Sequence, residues 1–193
     1  MYNEEHFQND DLRHALIIAG IKEVEAHGLA DFSLRRVAAE CGVSCAAPYR
    51  HFKSKSDLIL AIIEYINEQW SFLERQIFEI FDGDIKKKLI ELCIANIRFW
   101  IANPNFRSIM MMDDRGLDTF QLRERSRISD ETNALILEYC QSLSLPLETT
   151  ERVSFSVRTI LYGATQMLGS GELQNTPESI EMIRRCLGNA LLP

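Results

Sequence analysis

Gly42 stands between two short segments, each opened by a serine: SLRRVAAEC before it and VSCAAPYRHFK after it. That arrangement predicts two short helices meeting at a tight turn. Ser33 is a good N-cap, because its hydroxyl can accept from an unpaired N–H two or three residues on. Phe32 before it and Val37 after it are spaced for a hydrophobic staple. Leu34, Val37, Ala38 and Cys41 then fall on one apolar face at i, i+3, i+4 and i+7, leaving Arg35, Arg36 and Glu40 on the other. Gly42 supplies the left-handed stop.

A second helix is expected from Ser44 as its N-cap. Pro48 lies at the edge of its first turn, where at most one intrahelical bond is lost, so the helix is expected to continue. Cys45, Ala46 and Ala47 make its front small, and Tyr49, Arg50, His51 and Lys53 form its polar side, with Phe52 turned inward. A third helix is expected from Ser54, with Asp57 completing a capping box and Lys55 in the first turn. Two short helices across a tight turn make a helix-turn-helix. Hydroxyls, guanidinium and ammonium groups and helix N-termini suit a phosphate backbone. A small-residue front can approach base edges, where alanine meets a thymine methyl and arginine a guanine. A capped helix pair with a merely solvated face fits the same spacing.

The stretch SLRRVAAECGVSCAAPYRHFKSKSDL, preceded by a helix ending in EAHG, resembles the DNA-binding domain of TetR-family transcriptional regulators. Gly28, Ser33, Val37, Ala38, Gly42, Val43, Ser44, Tyr49, His51, Phe52 and Lys55 carry the likeness, over about the first sixty residues. Ala46, Ala47 and Pro48 depart from the family pattern at positions that bear on the operator sequence. The resemblance implies an all-α chain: a three-helix DNA-binding domain over 1–53 and a helical ligand-binding and dimerisation domain over 54–193. It also implies DNA contacts from Ser33, Arg35, Arg36, Ser44, Cys45, Ala46, Ala47, Tyr49, Arg50, His51, Lys53 and Lys55. The expected partners are a palindromic double-stranded operator, a second copy of the chain and a small-molecule effector.

The net charge of −7 argues against DNA until it is mapped. Residues 31–56 hold five basic and two acidic side chains, a balance of +3, and the remainder carries −10. A modest basic face on an acidic body binds in one orientation, weakly as a single copy. The apolar content of 46% supports a proper core. No run approaches the roughly 18 apolar residues of a membrane span, and the acidic start MYNEEHFQNDD is unlike a signal peptide. A cytoplasmic chain is expected. The five cysteines form no CxxC and no zinc-like set with histidine, so neither metal nor other cofactor is expected. Cys41 and Cys45 flank the turn, but free cysteine usually behaves as a small hydrophobe.

Beyond the third helix, which runs to about Ile80, helices are expected over Ile85–Ala102, Phe120–Leu143, Glu148–Leu168 and from Thr176-Pro177 to about Leu191. No strand-like alternation interrupts them. Phe99, Trp100, Phe106, Met110, Met111, Phe120, Tyr139 and Gln166 are candidates for an effector pocket, although ordinary core would use the same residues. Val153, Val157, Ile160, Leu161, Ala164 and Leu168 on one helix, with Ile180, Ile183 and Leu187 on the next, are candidates for a four-helix dimer interface. No nucleophile elbow, HExxH or phosphate-cradling glycine loop points to an enzyme. A ligand-responsive repressor is expected; an activator of the same fold is the alternative, since the sign depends on operator position, and a helical interaction module without DNA binding is a further one.

Overall fold

The computed structural model describes residues 4–81, 83–110 and 117–192. Every regular element among them is helical. In order they are α1 (Glu4–His27), α2 (Leu34–Glu40), a 3₁₀ turn at Pro48–Arg50, α3 (Lys55–Ile80), α4 (Ile85–Ala102), α5 (Pro104–Met110), α6 (Thr119–Ser126), a 3₁₀ turn at Arg127–Ser129, α7 (Asp130–Ser142), α8 (Leu147–Ser170) and α9 (Pro177–Ala190). They group into two compact units. One is the chain up to Glu68 with Asn105–Ser126; the other is Gln69–Pro104 with the chain from Arg127 onward. The first unit therefore extends past residue 53, and α3 contributes residues to both.

In the first unit α1 buries Leu16, Ile17, Ile21 and Val24 and packs on α2. Gly20 lets α3 come close: a Cβ there would meet Ile62 Cδ1 at 2.8 Å. Ser33 caps α2, its Oγ accepting the Arg36 N–H at 3.4 Å, while Val37 and Ala38 are buried below. Past the helix, Gly42 takes φ 67°. The Val43 N–H then donates to Ala38 O and the Gly42 N–H to Ala39 O, both at 3.0 Å. Those two bonds make a Schellman stop, which needs a residue at positive φ.

The second unit is built around α4, which buries Leu89, Leu92, Cys93, Ile94, Ile97, Phe99 and Trp100 and packs against α7, α8 and α9. Asp84 caps α4 by accepting the Lys87 N–H at 2.9 Å. Thr176 caps α9 with Pro177 at its first position, as expected. The single helix expected over Phe120–Leu143 is instead two, α6 and α7, separated by the 3₁₀ turn. Ser126 Oγ donates back to Arg123 O at 2.7 Å. A hydroxyl bonded to its own turn competes with the helix ladder and favours an end there.

Candidate nucleic-acid interface

Pro48 decides the shape of the segment after the turn. It has no N–H for the Ser44 carbonyl, which accepts the Ala47 N–H at 2.9 Å instead. The Arg50 N–H then donates to Ala47 O at 3.1 Å and the His51 N–H to Pro48 O at 3.0 Å. The result is one tight 3₁₀ turn, Pro48–Arg50, with no side-chain cap. The α-helix expected from Ser44 does not form. The short segment is nonetheless well anchored, with Pro48 buried and Phe52 only 2% exposed. The Arg13 guanidinium lies 5.4 Å from the Phe52 ring centroid.

This turn presents a compact outer face. Ser44, Cys45, Ala46, Tyr49, Arg50 and Lys53 are exposed, Arg35 is exposed on α2, and His51 is half-buried. Tyr49 is 59% exposed, a large value for an aromatic side chain. Ala47 belongs to the inner side, at 9% exposure, and cannot meet a base edge from there.

Three of the expected contacts have structural work inside the unit. Arg36 donates through Nε to Glu23 Oε1 at 2.8 Å, and its Nη2 reaches both Glu23 and the Asp31 carbonyl. Glu23 is buried on α1 and also accepts the Ser33 N–H at 3.0 Å. Burial alone would raise the Glu23 pKa, but the bonds from Arg36 and Ser33 outweigh it and hold it below the ordinary 4.5. Arg36, although exposed, thus braces Glu23 and the Asp31 carbonyl, and Ser33 is a half-buried cap. Lys55 is the third: its ammonium donates to Leu29 O at 2.6 Å and lies 5.7 Å from the Phe32 ring. It ties α3 to the turn between α1 and α2. Sequence reasoning missed Glu23 because its partners lie 10 and 13 residues away. The one local signal was an acidic residue within an otherwise apolar helix face.

The family model for bacterial regulatory proteins of the tetR family matches residues 16–62. That span runs from the buried stripe of α1, through the Pro48–Arg50 turn, into α3. The chain is also 32% identical over 116 residues to the nucleoid occlusion factor SlmA of Aliivibrio fischeri strain MJ11, covering 60% of this chain and 58% of that one. The match therefore spans less than two thirds of the relative's length. A TetR family transcription regulator from Marinobacter aquaeolei VT8 superposes with a TM-score of 0.77 at 19% identity, covering 96% of this chain and 97% of the other. Another, from Bordetella parapertussis 12822, gives 0.69 at 12% identity over 93% and 94%.

Residues 16–62 thus match the tetR family of regulatory proteins, and the fold is that of TetR-family structures. TetR-family regulators are DNA-binding proteins rather than enzymes, and among the described residues no helix is long and apolar enough to cross a membrane.

The remaining candidate residues separate by burial. Phe99 and Trp100 pack in the second unit, where the Phe99 ring lies 5.5 Å from Trp70 and 5.0 Å from Trp100. Tyr139 is buried there, its hydroxyl donating to Leu191 O at 2.6 Å. Phe106 and Met110 belong to the first unit, with Phe106 edge-on to Tyr65 at 6.0 Å. Phe120 and Gln166 are exposed, and Met111 lies outside the described residues. These residues are thus divided between core, surface and two units.

The dimer candidates need a correction too. Val153, Val157, Ala164, Leu168, Ile180, Ile183 and Leu187 are all buried within the unit, and Ile160 and Leu161 are half-buried. Within the unit, α8 and α9 pack on α4 and on each other, and α8 also on α7. On the outer side of α8, Leu147, Phe155 and Tyr162 are 74%, 73% and 61% exposed. With Leu137, Arg158 and Gly163 they line an open groove of about 720 Å³. A Cβ on Gly163 would meet nothing within the chain. All five cysteines are free thiols, and burial pushes Cys93 up to about 12.

Proposed function

We propose that the protein is a sequence-specific transcriptional repressor that binds a palindromic operator as a homodimer and is released by a small-molecule effector. The observation that carries this reading is the anchored turn at Pro48–Arg50, which offers Tyr49, Arg50 and Lys53 to solvent beside Arg35. Those groups suit phosphate contact, and the small exposed residues Cys45 and Ala46 leave room for close approach to a groove. With Arg36 paired to Glu23 and Lys55 bonded to the Leu29 carbonyl, the other three cations of the segment support weak binding by a monomer. Two copies joined through the outer face of α8 would present six. Gly163 and the exposed aromatic residues there suit close helix packing across a twofold axis. Reading segments about 34–36 Å apart would then meet successive major grooves. The cell compartment that fits is the cytoplasm, where the chromosome is accessible. An effector acts only through a difference in affinity for the DNA-competent and incompetent states.

The test is selection of duplexes from a random library by the full chain, followed by a salt series on the winner. The expected result is a palindromic site whose affinity falls with a log–log salt slope of about −5, from six neutralised phosphates. Equal binding to selected and unrelated duplexes would reject the reading. The SlmA likeness favours a second reading, a DNA-bound factor in nucleoid occlusion. A genome-wide map of bound sites separates them: a repressor collects at a few promoters, whereas occlusion needs sites spread over the chromosome.

A further inference from the structure

Three consecutive residues in the first turn of α3 hold three different parts of the first unit. Lys55 donates to Leu29 O at the α1–α2 turn at 2.6 Å. Asp57 accepts the Lys53 N–H at 2.8 Å and so fixes the end of the reading segment. Between them, Ser56 is held by α6. Gln121 is 2% exposed, and its Nε2 donates to Ser56 O at 2.8 Å and to Ser56 Oγ at 3.0 Å. Its Oε1 accepts the Asp118 N–H at 3.0 Å. Asp118 completes the set, taking the Gln121 N–H at 2.9 Å and the Ser56 hydroxyl at 3.3 Å.

Asp118 and Gln121 are thus a reciprocal capping box at the start of α6. Its glutamine has a second task, since a simple cap leaves its amide N–H groups to water. Here both amide contacts go to α3. The other end of α6 is also fixed, because the buried Asn67 Nδ2 donates to Glu124 O at 2.7 Å. A helical turn is stiff, so a shift at Ser56 moves Lys55 and Asp57 with it.

We propose that Gln121 is a positioning residue for DNA reading. Acting through Ser56, it sets the placement of the α3 first turn and hence of Lys53 and the Pro48–Arg50 turn. The proposal rests on the DNA-binding reading above and adds a determinant outside the helix-turn-helix segments.

The test uses the full chain and the duplex that the wild-type protein selects. Failure to select any duplex would reject the DNA-binding reading itself, before this proposal is reached. Gln121→Glu keeps the shape and the acceptor for Asp118 but replaces both N–H donors with an oxygen facing the Ser56 carbonyl. The expected loss of affinity is about tenfold, the scale of leaving a buried acceptor unpaired. Ser56→Ala removes only the hydroxyl and keeps the carbonyl bond, so a smaller loss in the same direction is expected. Amide hydrogen exchange separates positioning from general weakening. The Lys53 N–H should exchange faster in Gln121→Glu, while the Val37 and Cys41 amides of α2 keep wild-type rates. Wild-type affinity within twofold for Gln121→Glu would overturn the proposal. So would a uniform rise in all exchange rates together with normal binding by Ser56→Ala.

Discussion

Arg36 and Arg50 bring the same guanidinium to opposite uses. Arg36 is exposed but paired with the buried Glu23; Arg50 and Lys53 are exposed on the segment that follows the turn. Removing an outward cation should weaken binding to every duplex by a similar factor. In a dimer, Arg50→Ala or Lys53→Ala should reduce the salt slope by about 2, one phosphate per copy, with the melting temperature unchanged. Lys55→Ala should behave differently, because its ammonium holds Leu29 O. It should cost about 1–2 kcal/mol of stability, read as a lowered thermal midpoint in the absence of DNA. Glu23 carries a pH signature. Its pKa is lowered in the folded state by Arg36 and Ser33 against the opposing effect of burial, so the folded chain binds its proton more weakly than the unfolded one. The stability it contributes is complete above the ordinary value of 4.5 and is lost as pH falls through the folded-state value. Melting curves of the wild type and Glu23→Gln should therefore be well separated at pH 7 and converge below pH 4.5. A separation that widened on acidification would contradict this assignment.

Helix ends were legible wherever a single residue decides them. Ser33, Gly42 and Thr176-Pro177 act within four residues of themselves, so their spacing in the chain carries the whole signal. The Pro48 segment failed by the same local physics: with the Ser44 carbonyl satisfied by Ala47, the 3₁₀ turn is a complete solution and no α-helix is required. What the sequence did not disclose is which of two apolar faces turns inward. On α8 both Val157 and Tyr162 are apolar in pattern, but only the packing of α8 on its neighbours tells them apart. The same dependence on distant partners governs Glu74 on α3. Burial, and then Glu131 on α7, push its carboxyl up to about 7, although the Trp70 indole N–H donates to it at 3.1 Å. A raised carboxyl pKa means the folded chain binds the proton more tightly than the unfolded one. Stability is then lost as pH rises from about 4.5 to about 7. Glu74→Gln keeps an acceptor for Trp70 and removes the charge. It should raise the melting temperature relative to wild type at pH 8 and leave it nearly unchanged below pH 4.5.

A chain of net charge −7 meets a polyanion through the few side chains that face it, and the number of such faces becomes the governing quantity. One copy offers Arg35, Arg50 and Lys53; long-range repulsion from the rest of the chain opposes it. In the proposed dimer, pairing would double the contacts without changing the sign of that repulsion, and the second half-site would bind at the high effective concentration set by a rigid partner. The proposed pairing face is therefore where DNA affinity is most exposed to mutation. Tyr162 is 61% exposed and Val157 is fully buried, though both lie on α8. Tyr162→Glu should leave the fold of the single chain intact while placing two carboxylates against each other across the twofold axis. Sedimentation equilibrium should then report a monomer, and affinity for the selected palindrome should fall by more than about 100-fold, the loss of a linked second site. Binding to a single half-site should persist. Val157→Ala should do the reverse, destabilising each chain by roughly 1–3 kcal/mol through a cavity in the unit's core while the pairing face survives. A Tyr162→Glu chain that remained dimeric would move the interface away from α8 and leave the exposed aromatic groove to another partner.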